Sequence, residues 1–327
     1  MTAPVVVWRN EIDIIGCRTI TRAARAACAG ATMAFSSDND TVFSPNTRRL
    51  WASMSPCTLC PRNCRVNRHD GETGFCGIAD MPLVSSVGPH FGEESVLVGC
   101  GGSGTIFFAG CNLGCVFCQN YDISHQRHGR KMSVEQLVTA MLDLQQYGCV
   151  NINFVTPTHV APAMAAAIES ARRRGLVVPT VYNSGGYDSV QTLRLLKGLV
   201  DIYMPDMKYS DNSVADELSD APDYPQLNRL AVREMHRQAG DLVIDKGPAA
   251  CGLLVRHLVL PNNQAGSFEI IDFLAQEVSP KTAINVMGQY HPCYKASEHR
   301  FISRCPTPEE IQDVRDYALG KGLTLID

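Results

Sequence analysis

The sequence lacks any long hydrophobic run, since no apolar stretch approaches the roughly 20 residues that a membrane-spanning helix needs. Its first 35 residues have no clean apolar core of the secretory type, and they contain Glu11 and Asp13, whereas transit peptides are poor in acids. A strong charge of either sign is also missing, because 29 Lys and Arg stand against 33 Asp and Glu for a net charge of -4. We therefore expect neither a membrane protein nor a general affinity for nucleic acid.

Cysteine is the residue type that stands out. The 327-residue chain has 14 cysteines, and seven of them fall into two tight groups. In a short secreted protein this number would indicate disulfides, but the chain is long and shows no export signal. Close spacing favours a shared metal over cross-linking, so we expect a reducing compartment and a cytoplasmic protein. A hydrophobic fraction of 45% and a charged fraction of 19% are typical of a globular protein.

Composition divides the chain into three parts. Residues 1–50 show no clear periodicity and are interpreted as an N-terminal extension. Residues 51–98 are rich in Cys, Arg, Asn, Gly and Pro, which predicts a small metal-binding module made of loops. Residues 99–327 alternate short apolar segments with helical patterns, as expected for a parallel sheet with crossover helices.

Six predicted β/α repeats occupy the third part. The predicted strands are residues 105–108, 150–155, 177–182, 199–204, 253–260 and 283–287. Capping boxes at Ser133 with Gln136 and at Thr307 with Glu310 predict two helix starts, and further helices are predicted at 161–174 and 268–278. About 225 residues are short of the ~250 of a closed eight-fold barrel. We predict an α/β fold, a partial (β/α)6 TIM-like barrel with a small N-terminal cysteine-rich module.

The first predicted strand leads into a loop that contains Cys111, Cys115 and Cys118. Intervals of three and two residues let three thiolates hold one face of a [4Fe–4S] cubane. Three ligands leave one iron open, and an open coordination position distinguishes a catalytic metal site from a structural one. The alternatives are a zinc knuckle or chance core cysteines, but no fourth Cys or His lies at a suitable local spacing.

This loop resembles that of the radical S-adenosylmethionine superfamily, in which Cys-x-x-x-Cys-x-x-Cys follows the first barrel strand. An aromatic residue, here Phe117, precedes the last cysteine, and the resemblance gives it a place beside the cofactor. Residues 111–120 are most similar to the pyruvate formate-lyase activating-enzyme branch, and the string from Cys57 to Arg68 resembles activating-enzyme-like proteins. The ferredoxin-like insert of many activating enzymes is absent, because no cysteine lies between Cys118 and Cys149.

The resemblance implies an activity and its partners. The open iron would chelate S-adenosylmethionine, and one electron would cleave this cofactor to methionine and a 5′-deoxyadenosyl radical that abstracts hydrogen from an unidentified substrate. That substrate is a protein glycine if the chain is a glycyl-radical-enzyme activase. The alternatives are a small-molecule or peptide-modifying enzyme and a non-catalytic iron–sulfur carrier. An electron donor such as flavodoxin or ferredoxin is the other implied partner.

Several residues on or after the other predicted strands are candidate cofactor-binding residues: Thr156, Thr158, Asn183, Ser184, Asp206, Lys208 and His257. The two threonines stand where the family usually has Gly-Gly-Glu, and their hydroxyls or backbone carbonyls would replace it. His159, next to them, is either a ligand or catalytic acid or a locally hydrogen-bonded residue. Asn183 and Ser184 are otherwise ordinary turn residues.

The remaining candidates are charged or titratable. Asp206 and Lys208 resemble the Asp-x-Lys pair that follows the fourth strand in activating enzymes, and the alternative is a structural ion pair. Charges at the end of an apolar strand are costly unless they face a wet opening. His257 alternates along a predicted strand and is expected to point into the barrel, with a satisfied core histidine as the alternative.

A second cysteine group precedes the barrel and consists of Cys57, Cys60, Cys64 and Cys76. Four close thiolates in a loop-rich segment predict a metal site, because so little core would not order these loops by itself. Cys-x-x-Cys pairs often hold tetrahedral zinc. The uneven spacing and Pro61 directly after Cys60 favour an auxiliary [4Fe–4S] cluster instead, and both identities stay open.

Overall fold

The computed structural model describes residues 43–244 and 247–327, so most of the predicted N-terminal extension lies outside the described residues. The strands are β1 Leu83–His90, β2 Ser103–Phe108, β3 Arg130–Lys131, β4 Ile152–Val155, β5 Thr180–Ser184, β6 Ile202–Pro205, β7 Val243–Ile244, β8 Ala249–Leu258, β9 Ala283–Met287 and β10 Thr324–Leu325. The helices are α1 Pro45–Ala52, α2 Ser95–Val98, α3 Tyr121–Ser124, α4 Val134–Tyr147, α5 Ala161–Arg173, α6 Val190–Leu195, α7 Asn212–Ser219, α8 Tyr224–Ala239, α9 Ser267–Phe273 and α10 Pro308–Gly320.

One sheet runs through the described part of the chain, in the order β10-β9-β8-β6-β5-β4-β2-β1-β3, with β7 paired to β8. The neighbours from β2 to β10 are parallel, whereas β1 pairs antiparallel with β2 and with β3. Among the described residues no pairing joins β3 to β10, so the barrel is open. The predicted α/β class and partial barrel are confirmed. We call the carboxyl ends of the parallel strands the barrel mouth.

Several element boundaries follow from local chemistry. Both predicted capping boxes are present, with Ser133 accepting from the Gln136 amide and Thr307 from the Glu310 amide. The strand predicted at 177–182 instead begins at Thr180, because Val177 is exposed and Pro179 has no N–H for a ladder. The predicted helix 268–278 is α9 followed by one π-helical turn, Leu274–Val278.

The apolar core has two layers, one on each face of the sheet. Alternate strand side chains such as Tyr182, Tyr203 and Val255 pack outward against the helices. The intervening residues, such as Met204 and Leu254, form a smaller apolar cluster inside the barrel with Leu97 of α2. Odd and even positions along a strand therefore face opposite sides of the sheet, and only one of the two sets faces the barrel interior.

The predicted cysteine-rich module, residues 51–98, is tied to the barrel along its length. It contains β1, which extends the barrel sheet beyond β2. Arg68 is 2% exposed; its Nε donates to the Ala79 carbonyl and its Nη1 to the His159 carbonyl, at 2.9 and 2.8 Å. The bond to His159 is buried and fastens the module to the turn that follows β4. The domain boundary at residue 98 stays a prediction, although the sheet itself continues across it.

Candidate functional site

The cysteine trio lies in the loop that leaves β2 at the barrel mouth. Gly110 begins this loop with φ +81°, a left-handed conformation that L-residues rarely adopt. A Cβ at this position would lie 2.7 Å from the Cys76 carbonyl oxygen and 2.8 Å from Cγ1 of Ile78. Glycine thus allows the trio loop to turn while it rests directly on the four-cysteine module.

All three thiols of the trio are free and each sulfur has a hydrogen-bonding neighbour. The pairs are Leu113 N–H to Cys111 Sγ at 3.4 Å, Ser219 Oγ to Cys115 Sγ at 2.9 Å, and Ser124 Oγ with Cys118 Sγ at 3.1 Å. Hydrogen bonds to sulfur are a recognised means by which proteins tune iron–sulfur centres. The donor set therefore fits a cluster held by three thiolates.

Burial favours the protonated form of Cys111 and Cys115 in the absence of a metal. Desolvation raises the pKa of both Cys111 and Cys115, and the neighbouring thiols of the trio raise it further. The nearby Lys208 ammonium acts in the opposite direction but does not reverse the shift. A bound metal ion deprotonates its thiol ligands outright, so cluster assembly here must displace protons.

An aromatic wall encloses the trio. Phe117 is buried and makes edge-to-face contacts with Tyr209 and Tyr290, with ring centroids 6.4 and 5.8 Å apart. The Tyr209 hydroxyl bonds the Ser219 hydroxyl at 2.7 Å, and Ser219 in turn reaches the Cys115 sulfur. This wall keeps bulk water away from one side of the loop.

Asp206 and Lys208 lie together at the end of β6, as the sequence predicts for residues of the barrel mouth. Lys208 Nζ is 2.6 Å from Asp206 Oδ2, and Nε of Arg256 is 3.1 Å from Asp206 Oδ1. Burial by itself would raise the pKa of Asp206, but the two cations outweigh it and the pKa is lowered. The same contact raises the pKa of Lys208 against the effect of burial. All three groups are therefore charged at neutral pH.

The interior position on β8 belongs to Arg256, and the expectation that His257 points into the barrel is wrong. Because side chains alternate along a strand, the residue after Arg256 faces the helices. The His257 ring is fully buried and bonds the Met207 carbonyl at 2.7 Å and the Ser267 hydroxyl at 2.8 Å. Burial lowers its pKa to about 4. A contact between His257 and the cofactor stays a prediction. Both ring nitrogens already have hydrogen-bond partners within the protein, so neither is free to support it.

The candidate residues after β4 and at the end of β5 divide between two faces of the sheet. Asn183 shares the interior parity of Val181, whereas the hydroxyls of Thr158 and Ser184 donate to the carboxylate of Asp188, at 2.7 and 2.6 Å. Both hydroxyls are thus engaged within the protein. Thr156 adopts φ +59°, which is rare for a β-branched residue and indicates strain at the strand end.

Asp188 is a residue that sequence reasoning missed. It is 2% exposed and accepts hydrogen bonds from Thr158, Ser184 and the Tyr182 hydroxyl, the last at 2.8 Å. Desolvation raises its pKa despite these donors. An acid two residues after the Gly-Gly turn was the available signal. Asp188 holds the ends of β4 and β5 together beneath the barrel mouth.

The four-cysteine module encloses a small internal cavity. All four predicted ligands line it: Cys57, Cys60, Cys64 and Cys76. Arg68, His159 and Phe75 are among the other residues of its walls. Burial raises the pKa of Cys60 to about 12 and also raises that of Cys76. A cavity walled by four thiols, of which Cys57 is buried and the other three are partly buried, is a donor set that suits a thiophilic metal group.

The two cysteine loops form one packed unit. Arg62 lies 3.6 Å above the centre of the Phe75 ring and donates from Nε to the Asn112 carbonyl at 2.9 Å. The side chain of Asn112, the neighbour of Cys111, donates to the Tyr187 carbonyl and acts to lower the pKa of the nearby Cys60 thiol. The sequence did not show this contact between loops that lie about 50 residues apart.

Within 43–244 and 247–327, no three His, Cys, Asp or Glu side chains converge as they stand on a point that would hold one metal ion. No helix in these ranges has the length and apolar character required to cross a bilayer.

Comparison with known proteins identifies the family. The profile of the radical SAM superfamily matches residues 105–238. The uncharacterized protein MJ0674 of Methanocaldococcus jannaschii is 34% identical over 283 residues, which cover 83% of this chain and 76% of that protein. MJ0808 of the same organism is 24% identical over 301 residues, 83% of this chain and 79% of its own length. The chain belongs to the radical SAM superfamily, which implies a [4Fe–4S] cluster and S-adenosylmethionine.

Two solved structures are similar to part of this chain. A radical SAM methyltransferase from Sphaerobacter thermophilus gives a TM-score of 0.45 at 15% identity, over 68% of this chain and 65% of that chain. Streptococcus suis SuiB bound to S-adenosylmethionine gives 0.45 at 10% identity, over 66% of this chain and 47% of that chain. This chain thus spans less than two thirds of either structure.

Proposed function

We propose that this protein is a radical enzyme in which Cys111, Cys115 and Cys118 hold the [4Fe–4S] cluster. The observation that carries this proposal is the trio itself, three free thiols on one loop at the barrel mouth with a hydrogen-bonding neighbour at each sulfur. When bound, the cluster supplies the electron that cleaves S-adenosylmethionine to methionine and a 5′-deoxyadenosyl radical.

The surrounding residues bind and orient the cofactor in this proposal. Lys208 and Arg256 offer cationic donors for a carboxylate, and Asp206 offers an acceptor for an ammonium group. Asn183 faces the same interior and presents an amide. Phe117 and its aromatic neighbours exclude water, which protects a reactive radical from side reactions.

We further propose that Cys57, Cys60, Cys64 and Cys76 hold a second metal group, an auxiliary [4Fe–4S] cluster in preference to zinc. The cavity that all four thiols line supports a shared metal. Its contact with the trio loop, through Arg62 and Asn112, supports a group that works together with the first cluster. An iron and zinc count per chain after anaerobic reconstitution distinguishes the two metals.

The reaction is tested by incubating the reconstituted, dithionite-reduced protein with S-adenosylmethionine under anaerobic conditions. We expect release of 5′-deoxyadenosine, and its loss in Cys118→Ala. Cys305→Ala is the matched control, because this cysteine is exposed and belongs to neither group. Reduction of the cluster without cleavage of the cofactor would instead identify an iron–sulfur carrier. Flavodoxin or ferredoxin is the proposed natural donor and can replace dithionite.

The substrate is the finer part of the proposal. We retain a glycyl-radical-enzyme activase as one form of it, motivated by the Asp206 and Lys208 pair that resembles activating enzymes. It predicts a glycine radical signal in a partner protein after incubation with the reduced enzyme and cofactor. If partner proteins give no such signal and the radical instead abstracts hydrogen from a peptide or a small molecule, the activase form is excluded.

A further inference from the structure

Two neighbouring glutamates, Glu93 and Glu94, extend from the loop between β1 and α2 into the barrel interior. Nδ2 of Asn285 donates to Glu94 Oε1 at 3.0 Å, and Nη1 of Arg256 is 3.8 Å from Glu93 Oε2. Asn285 and Arg256 are paired residues of β9 and β8, so they face the same side of the sheet. The side chain of Glu93 is 7% exposed and Glu94 is 5% exposed. The loop therefore brings two largely buried carboxylates to the interior residue Arg256.

Asn153 of β4 lies beside these carboxylates, and both polar atoms of its side chain are unpaired. It is fully buried, and its paired neighbour Val181 belongs to the apolar cluster inside the barrel, so the amide faces the interior. The amide helps to lower the pKa of Glu93, but within the described residues neither Oδ1 nor Nδ2 reaches hydrogen-bonding geometry with a protein group. Oε2 of Glu94 is likewise buried and unpaired. Because buried polar atoms are nearly always paired, these three atoms point to a group that the protein binds.

The charges around these atoms decide which kind of group fits. Arg256 already donates to Asp206 at 3.1 Å, and its separation of 3.8 Å from Glu93 is too long for a hydrogen bond. Burial raises the pKa of Glu93; Arg256 opposes this without reversing it, and Glu94 adds to it. The two carboxylates are thus short of positive charge, and carboxylate oxygens only accept hydrogen bonds. A compact ammonium group supplies both the charge and the donors.

We propose that Glu93, Glu94 and Asn153 bind the ammonium group of a small amine substrate; this inference deepens the radical function proposed above and rests on it. Glu94 Oε2 and the amide oxygen of Asn153 accept hydrogen bonds from the ammonium group. These side chains are at most 7% exposed, so the surface of a folded protein does not reach them. A lysine side chain carries the same group on a flexible stem, which makes a peptide the other source of this chemistry.

The affinity of butylammonium for the reconstituted, unreduced protein tests the site. Isothermal titration calorimetry is carried out with S-adenosylmethionine present, so that the cofactor's own site is filled, and n-butanol serves as the uncharged probe of the same length. We expect n-butanol to bind about tenfold more weakly than butylammonium, because hydrogen bonds to charged groups are the stronger ones. Glu94→Gln should weaken butylammonium binding by about the same factor. Glu298→Gln, at an exposed glutamate, is the matched control and should leave it unchanged.

Asn153→Leu separates binding from a structural role. Leucine is close to asparagine in size and removes an amide that is unpaired within the described residues, so the melting temperature should not fall. Butylammonium binding should weaken about tenfold in the same variant. Unchanged binding in Asn153→Leu overturns the part of Asn153 in the site.

The wild-type protein decides the proposal without any variant. If it binds neither probe, or binds both equally, the ammonium site is overturned and buried water is the partner of these atoms. Release of 5′-deoxyadenosine tests the radical function separately, so either proposal can fail while the other is assessed.

Deuterium transfer distinguishes the two sources of the ammonium group. An extract of cells grown in heavy water is divided into small amines, peptides and a remainder without cationic groups, and each fraction is added to the reduced enzyme with S-adenosylmethionine. Cleavage of a substrate C–D bond moves deuterium to the 5′-deoxyadenosyl radical, which leaves a substrate radical and deuterated 5′-deoxyadenosine. We expect deuterium from the small amines, and its loss when their amino groups are acetylated. Deuterium from the peptides alone overturns the small amine in favour of lysine, and deuterium from the remainder alone overturns the ammonium site.

Discussion

Replacing Gly110 by alanine tests the packing of the trio loop on the four-cysteine module. Gly198 provides a matched control, because its φ of +80° equals the +81° of Gly110 while nothing lies within 4 Å of its missing Cβ. A left-handed L-residue costs about 1–2 kcal/mol, and a stiffer unfolded chain offsets about 0.4–1 kcal/mol of this. We therefore expect Gly198→Ala to lower the free energy of unfolding by roughly 1 kcal/mol.

Gly110→Ala carries the same backbone cost and a steric one. Its Cβ would meet the Cys76 carbonyl at 2.7 Å, and a backbone atom cannot rotate away. Overpacking of this kind costs about 1–3 kcal/mol more. Guanidinium unfolding of the two variants gives this difference directly, and the iron count reports whether Cys76 has moved. Equal losses of stability in Gly110→Ala and Gly198→Ala would refute the close contact between the loops.

Three further predictions concern charges and hydrogen bonds. Asp206→Asn removes the carboxylate shared by the partly buried Lys208 and Arg256, of which Arg256 keeps Glu93 at 3.8 Å, and should cost about 1–3 kcal/mol in urea unfolding; an unchanged stability contradicts the network. Ser219→Ala removes a donor to the Cys115 sulfur and should lower the cluster's reduction potential by the equivalent of about 1 kcal/mol in a redox titration; an unchanged potential refutes the contact. Glu310 has its pKa lowered to about 2, chiefly by hydrogen bonds from Arg304. Its stabilisation is complete above the ordinary pKa of 4.5 and is lost as the pH falls toward 2. The melting temperature of the metal-free protein should therefore exceed that of Glu310→Gln above pH 4.5, with the gap closing in acid.

Local signals in the sequence predicted the parts of the molecule that depend on neighbours along the chain. The capping box joins Ser133 and Gln136, two residues only three positions apart, so the start of α4 can be predicted from the local sequence. The trio is similar, because one loop contains all three thiols. The last predicted strand, 283–287, coincides with β9 for the same reason, as apolar β-formers stand between turn residues.

Features that depend on distant partners were not predictable. Alternation along β8 divides its side chains into two faces but does not say which face lies inside, and Arg256 rather than His257 proved to be the interior residue. The partners of Asp188 come from β5 and from the separate turn that follows β4. The helices α7 and α8 were not assigned, although α7 supplies Ser219 to the Cys115 sulfur.

The antiparallel strand β1 sets a limit on how far the chain can be shortened. A chain that begins at residue 99 would keep every cysteine of the trio but would lack β1. The edge of β2 that pairs with β1 would then be exposed. Such a chain would also leave Gly110 without the Cys76–Ile78 turn on which it rests. The smallest functional fragment must therefore start upstream of the barrel. A barrel transferred to another scaffold without those upstream residues would keep the three thiols but lose the segment that supports their loop.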